Sequence, residues 1–191
     1  MSKKILLAMF GIGLLALFSG LASIAVFTDQ EAIDANDFNT GDVDLTTAPT
    51  TALVSFSDMA PGDSVTDDVV VSNAGSLDLR YSISSSATNT DTLGLKDALV
   101  LTIKTIDVTL PGTPCDDFDG TELYTGDLDS TAGLLVGDPA QGDDTGDRDL
   151  TASTNETLCF RVTFASAATG PEGASTSATF TFDAEQTDNN P

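Results

Sequence analysis

The 191-residue chain carries 30 acidic residues against seven basic ones, a formal net charge of −23, and it contains no histidine. This charge argues against nucleic acid or an anionic membrane surface as a partner, because phosphate contacts require a basic face. The lack of histidine excludes Ser-His-Asp and Cys-His catalysis and the HExxH zinc site, each of which needs an imidazole.

The chain begins with a predicted export signal. Two lysines precede an uncharged, mostly apolar run over residues 5–28, as in the charged and apolar regions of a signal peptide. Ser23 and Ala25 are small residues at the positions that a signal peptidase reads, so we predict a signal peptide at 1–25 and a mature chain from Val26. An uncleaved anchor is the alternative, since the run is long enough to cross a bilayer. In both cases the rest of the chain lies outside the cell, and only the signal segment meets the membrane.

The predicted mature part is even more acidic than the whole chain. Cleavage removes two lysines and no acidic residue, which leaves five basic residues against 30 acidic ones, a formal charge of −25. Such a surface is well solvated and resists nonspecific association; a high-salt habitat or cation bridging between chains would explain the same composition. The two cysteines, Cys115 and Cys159, both lie in this part, where the redox environment permits a disulfide. We predict that bond, with two free thiols as the alternative.

The first half of the mature part is predicted to form strands joined by turns. Residues 38–46 and 52–57 have strand composition, and Pro61 and Gly62 suit the two central positions of a type II turn. A strand at 64–73 follows this turn. The sequence Asn-Ala-Gly then reverses the chain into a further strand at 77–85, and a single helical turn near 95–98 leads into the longest apolar stretch, predicted as a central strand.

The second half contains two strands with clear alternation, preceded by loops rich in Asp and Gly at 112–120 and 137–149. The predicted core-facing residues of the two strands are Leu158, Phe160, Val162 and Phe164, and Ala178, Phe180, Phe182 and Ala184. One core face and one polar face per strand predict an antiparallel sandwich. Because Cys159 points away from the core face, its disulfide would hold the first loop against the outside of the sheet.

The acidic loops are the only candidate metal sites in the sequence. Asp117, Asp119 and Gly120 match the later part of a calcium-binding loop, but Cys115 occupies the first ligand position. The second loop offers four carboxylates, on Asp143, Asp144, Asp147 and Asp149. Solvated turns are the preferred interpretation, so we predict no metal and no cofactor, with calcium at these loops as the alternative.

Three segments resemble a known family. They are ASIAVFTDQEAIDANDFNTGDVDL at 22–45, FSDMAPGDSVTDDVVVSNAGSLDLRYSI at 56–83 and SATFTFDAEQT at 177–187. In order they contain an A-x-F-x-D junction, an F-x-x-G-x-x-D-L strand, a P-G-D turn and a V-x-N-x-G-S-L segment. This combination is similar to the TasA and camelysin family of exported biofilm-matrix proteins, whereas the middle of the chain matches less well.

The resemblance implies a jelly-roll β-sandwich at 38–185, a polar tail at 186–191 that we expect to fray, and secretion through a dedicated signal peptidase. It also implies extracellular fibres, in which an N-terminal donor segment at 26–37 adds as a strand to the next copy. The donor would begin with Val26, Phe27, Thr28 and Asp29. Burial in a neighbouring molecule would explain an aromatic residue so near the mature N terminus; the alternative is that Phe27 packs on its own domain.

We therefore expect a secreted, non-enzymatic structural subunit whose partners are copies of itself, arranged head to tail, and a signal peptidase during export. No catalytic residue is assigned. A monomeric calcium-binding surface or adhesion module is the alternative function. A camelysin-type metallopeptidase is the third candidate, and the absence of histidine argues against it.

Overall fold

The structure is a computed structural model that describes residues 3–4, 39–51, 58–106, 115–129, 133–166, 172–188 and 190. The chain divides into two compact units, Met1–Asn39 and Thr40–Pro191. In the first unit only Asn39 and two exposed helical lysines near the N terminus are described. Apart from Lys3 and Lys4, the predicted signal peptide therefore lies outside the described residues, as do its cleavage site and the donor segment. Among the residues that are described, no helix is long and apolar enough to span a membrane.

The second unit is all-β, as predicted. Its described residues form nine strands and one short 3-10 helix at Leu95–Ala98, where the sequence predicts a helical turn. Every strand pairing is antiparallel. The strands are β1 Leu45–Ala48, β2 Ser64–Asn73, β3 Leu79–Ala87, β4 Leu99–Thr105, β5 Glu122–Asp127, β6 Leu134–Val136, β7 Arg148–Leu150, β8 Asn155–Phe164 and β9 Ala178–Gln186.

The strands form two sheets. One has five strands in the order β1-β2-β8-β4-β5, so β8 is central and β4 also has a neighbour on each side. In the other sheet β3 pairs with β6, β7 and β9. Because β9 pairs with β3 along its whole length, the two short strands β6 and β7 must share the opposite edge of β3. Each strand has only two edges for hydrogen bonds.

One hydrophobic core draws residues from both sheets, and it includes the predicted core face of β8. Leu158, Phe160, Val162 and Phe164 are each at most 5% exposed. From the other sheet come Leu79, Tyr81 and Ile83, which are also buried. Alternation along β8 and β3 sends every second side chain into this core.

The turn before β2 has the predicted geometry. Asp63 N donates to Ala60 O at 2.9 Å, which closes a four-residue turn with Pro61 and Gly62 at its centre. Gly62 has φ of 100°, the left-handed region that position i+2 of a type II turn requires. Residues 52–57, predicted as a strand just before this turn, lie outside the described residues.

The predicted strand at 38–46 begins later than expected, at Leu45. Residues 42–44 instead hydrogen-bond to the turn between β2 and β3: Asp42 O accepts from Ser76 N at 3.1 Å, and Ser76 Oγ donates to the Asp42 carboxylate at 2.6 Å. The hydrogen bonds from Ser76 lower the pKa of Asp42. Because these groups of residues 42–44 pair with a turn 34 residues away from Asp42, they do not extend the ladder of β1.

Among the described tail residues, Thr187 and Asn190 hydrogen-bond to the rest of the second unit, contrary to the expectation that the tail frays. Thr187 N donates to Asp78 O at 3.1 Å. Asn190 Nδ2 donates to Glu185 at 2.7 Å, and the Asn190 carbonyl accepts from Arg80 Nη2 at 2.6 Å. The buried guanidinium of Arg80 needs acceptors, and the tail supplies one of them.

Candidate functional site

Within the described part of the chain β9 has a neighbour along one edge only, and we call its other edge the open edge. The β9 strand pairs with β3 from Leu79 opposite Gln186 to Ala87 opposite Ala178. Across the described ranges, no strand pairs with the other edge of β9. A strand edge of this kind presents a row of N–H and C=O groups that can pair with a further strand.

Two aromatic side chains of β9 connect this edge to the core. The Phe180 ring lies 5.2 Å from the Phe160 ring in an edge-on arrangement, and the Phe182 ring lies 6.2 Å from the Tyr81 ring. Phe160 and Tyr81 are no more than 1% exposed, whereas Phe180 and Phe182 are only half-buried. An apolar residue from an added strand would cover the exposed part of these rings and extend the core.

The other described edges are shorter or interrupted. The β1 strand has four residues and is followed directly by Pro49, which has no backbone N–H. The β5 strand has acidic residues at both ends, and its pairing with β4 shifts register between Ile103 and Lys104. The strands β6 and β7 have three residues each. Short, charged or irregular edges discourage pairing with another chain, so the nine residues of β9 form the best candidate for strand addition.

The predicted disulfide pair is joined in the structure. Cys115 and Cys159 form a bond with their Cα atoms 5.5 Å apart. Together with Phe118 they form a small buried cluster that is separate from the main core. The guanidinium of Arg161 lies 3.7 Å from the centre of the Phe118 ring, and the ammonium of Lys104 lies 5.0 Å from it. The bond therefore fastens the first acidic loop to the outer face of the five-stranded sheet, which is a structural role.

A polar network joins the two sheets near this core. Tyr81 Oη on β3 donates to Glu156 Oε1 on β8 at 2.6 Å. Arg148 on β7 donates to both oxygens of the same carboxylate. Burial, followed by the hydrogen bond to Glu156, raises the pKa of Tyr81. The arrangement satisfies a buried hydroxyl and a charged pair at once, so it stabilises the contact between the two sheets.

The remaining predicted site residues cannot be placed beside this edge. They are the cleavage residues Ser23, Ala25 and Val26 and the donor residues Phe27, Thr28 and Asp29, all outside the described part of the chain. The sequence does not reveal that β9 has only one neighbour among the described strands. Alternation in residues 178–186 identifies a strand with one core face, but an edge strand and an interior strand share that pattern.

A family model described as camelysin metallo-endopeptidase matches residues 1–100. No curated protein matches the chain.

The description of that family implies a metal centre, which the residues of this chain do not fit. The sequence offers no imidazole ligand. Among the residues with described positions, no three Cys, Asp or Glu side chains lie close enough to hold a metal ion. Peptidase zinc sites use histidine with a carboxylate, so this chain lacks the ligands for such a site.

Proposed function

Because the chain belongs to the camelysin family, we propose that it is a secreted structural subunit that assembles into extracellular fibres. In these fibres the N-terminal segment of one copy adds as a strand to the next copy. The proposal assigns no catalytic residue and no cofactor. The observation that supports it is the nine-residue edge of β9 with which no described strand pairs.

Strand addition supplies both affinity and specificity at such an edge. The backbone groups of β9 pair with those of the incoming strand, and its apolar side chains enter the groove beside the sheet. The donor segment at 26–37 begins with Val26 and Phe27, and Phe180 and Phe182 are the half-buried rings that such side chains would cover. Full burial of a side chain of this size is worth about 1.5–3 kcal/mol.

Assembly of this kind has a direction. The donor and the receiving edge are different surfaces, so the contact is head to tail and continues without closing. Subunits with a formal charge of −25 after cleavage repel one another, but at physiological ionic strength repulsion is screened beyond about 8 Å. Bundling of fibres side by side should therefore depend on salt, whereas contacts along a fibre are held by strand pairing and apolar burial.

The domain arrangement follows from the same proposal. Residues 38–185 form a jelly-roll sandwich, 1–25 are removed on export, and 26–37 leave their own domain for the next. Two antiparallel sheets with a shared core support this arrangement. A disulfide between Cys115 and Cys159 suits a protein that works in an oxidising compartment.

The test is electron microscopy of the mature protein and of a variant in which Val26, Phe27 and Thr28 are replaced by Gly-Ser-Gly. The replacement keeps the chain length, so a difference reports on the side chains. We expect filaments from the mature protein and folded monomers from the variant, with circular dichroism as the check on folding. Filaments of normal length from the variant would contradict the donor role, and dispersed monomers from the mature protein would favour a monomeric surface module.

A further inference from the structure

One motif outside the features described above is an acceptor for covalent modification. Asn155, Glu156 and Thr157 form the triplet Asn-x-Thr, with a residue other than proline in the middle, to which N-linked glycans are attached. The chain has seven asparagines, and no other one is followed two positions later by Ser or Thr. Such a triplet also arises by chance, so its place in the fold decides whether it can carry a glycan.

The side chain of Asn155 is exposed on the outer face of a sheet. Asn155 begins β8 directly after a turn that Thr154 N closes by donating to Thr151 O at 3.2 Å. Alternation along β8 sends Leu158 and Phe160 into the core, so Asn155 points the other way. No described group forms a hydrogen bond with its side chain. The amide nitrogen that would carry the sugar is therefore accessible.

Other asparagines of the chain use their side chains within the fold. Asn73 is 1% exposed, and its Nδ2 donates to Leu150 O at 3.0 Å. Asn190 Nδ2 donates to Glu185 Oε2 at 2.7 Å. A glycan on Asn155 would break no hydrogen bond of the described fold, whereas a glycan on Asn73 would disrupt a buried contact.

The surroundings of Asn155 leave space for a bulky group. Its cross-strand neighbour on β2 is Ser72, which is small. On its other side β4 pairs with β8 only from Leu158 onward, opposite Thr105. The β9 strand belongs to the other sheet, so a glycan at this position would leave the open edge of β9 uncovered.

We propose that Asn155 receives an N-linked glycan during export. The inference rests on the proposed secretion of the chain and is independent of fibre formation. The co-substrate is an oligosaccharide joined to a lipid through a phosphate. The Asn155 Nδ2 atom forms a bond to the anomeric carbon of the sugar while the bond from that carbon to the phosphate oxygen breaks. The lipid phosphate leaves with the bonding electrons, and the transferase accepts one of the two amide protons.

The geometry also sets the order of events. A transferase that reads the triplet has to bind Asn155 and Thr157 together. In the folded chain these two residues pair with β2, and the Glu156 between them accepts hydrogen bonds from Tyr81 and Arg148. Drawing the triplet into an active site would break these contacts. The sugar is therefore added before β8 enters the sheet.

The test is intact-mass spectrometry of the mature protein purified from the medium of the organism that produces it, followed by peptide mapping. We expect a mass that exceeds the sequence value by a discrete glycan, and the glycan on the peptide that contains Asn155. Secreted protein with the sequence mass would overturn the modification and leave secretion intact. A chain found only inside the cell would contradict secretion and the modification together.

Variants locate the linkage. Asn155→Gln and Thr157→Ala each remove the triplet and should bring the whole population to the sequence mass. Thr157→Ser keeps the triplet, so it is the matched control and should retain the glycan. A glycan that persists in Asn155→Gln would be linked to a different residue and would overturn the proposal. Circular dichroism checks that each variant is folded.

The order of events is tested with membranes of the producing organism, which contain the transferase and its lipid-linked substrate. Two acceptors are compared: the folded protein without glycan and a peptide that spans residues 152–158. We expect the peptide to be modified and the folded protein to remain unmodified. Equal modification of the two would contradict transfer before folding, and modification of neither would contradict the site.

Discussion

The ring of Phe182 packs against the ring of Tyr81, with 6.2 Å between their centres. Tyr81 is 1% exposed, whereas Phe182 on the open edge is half-buried. The edge of β9 is thus continuous with the core. Whatever covers Phe182 adds to the same hydrophobic cluster that holds the sheets together.

This difference in burial predicts that truncating Phe160 and truncating Phe182 lower the free energy of unfolding by different amounts. In the non-assembling variant described above, Phe160→Ala should lower the free energy of unfolding by about 3–5 kcal/mol, because Phe160 is fully buried. Phe182→Ala should cost about half as much, because part of its ring is already in water. Urea unfolding measures both. Equal losses would mean that the edge is covered within the single chain.

The disulfide should contribute substantially to stability. Cys115 and Cys159 are 44 residues apart in sequence, and the chain-entropy model assigns about 4 kcal/mol to a loop of that length. We expect the double variant Cys115→Ser and Cys159→Ser to unfold at a correspondingly lower urea concentration. Reductant should destabilise the unaltered protein and leave the double variant unchanged. An effect of reductant on the double variant would show that something other than this bond is reduced.

The buried tyrosine predicts a loss of stability at alkaline pH. Burial and the bond to Glu156 raise the pKa of Tyr81 above its ordinary value of 10.0. Above pH 10 the unfolded chain therefore loses a proton that the folded chain keeps, so stability falls as the pH rises. Tyr81→Phe should reduce this slope in urea titrations at increasing pH. An unchanged slope would assign the alkaline loss to other groups.

The ion pair between Arg80 and Glu185 predicts a loss of stability at acid pH. The hydrogen bond from Arg80, followed by that from the Gly142 backbone, lowers the pKa of Glu185 below its ordinary value of 4.5. As the pH falls below that value the unfolded chain takes up a proton before the folded chain does, so this contribution to stability is lost. Glu185→Gln should show a shallower fall in unfolding free energy between neutral and acid pH. The same fall in both proteins would contradict the assignment.

Several features of the fold can be predicted from short stretches of the sequence. Alternation in 157–165 predicts which side chains of β8 are buried, because period two is set by the backbone of any strand. The same alternation places Cys159 on the outer face, which is where the structure has the disulfide cluster. The turn at Pro61 and Gly62 follows from the conformations that these two residues favour.

Features that depend on strand order could not be predicted. Nothing local distinguishes β9, which has one described neighbour, from β8, which has two. Polar alternation on β3 predicts an exposed outer face, yet Arg80 and Ser82 are buried there. A loop that is distant in sequence, residues 137–147, covers that face, and such coverage is a tertiary contact that a strand pattern does not encode.

The measurement that tests the fibre account most directly is photo-cross-linking from the donor. The photoreactive amino acid benzoyl-phenylalanine replaces Phe27, and fibres are grown from a mixture of isotopically light and heavy subunits so that mass spectrometry separates links between chains from links within one chain. We predict links between chains that map to residues 178–186 of the neighbouring copy. Links confined to a single chain, or links between chains that map to β1 or β5, would contradict addition at the edge of β9.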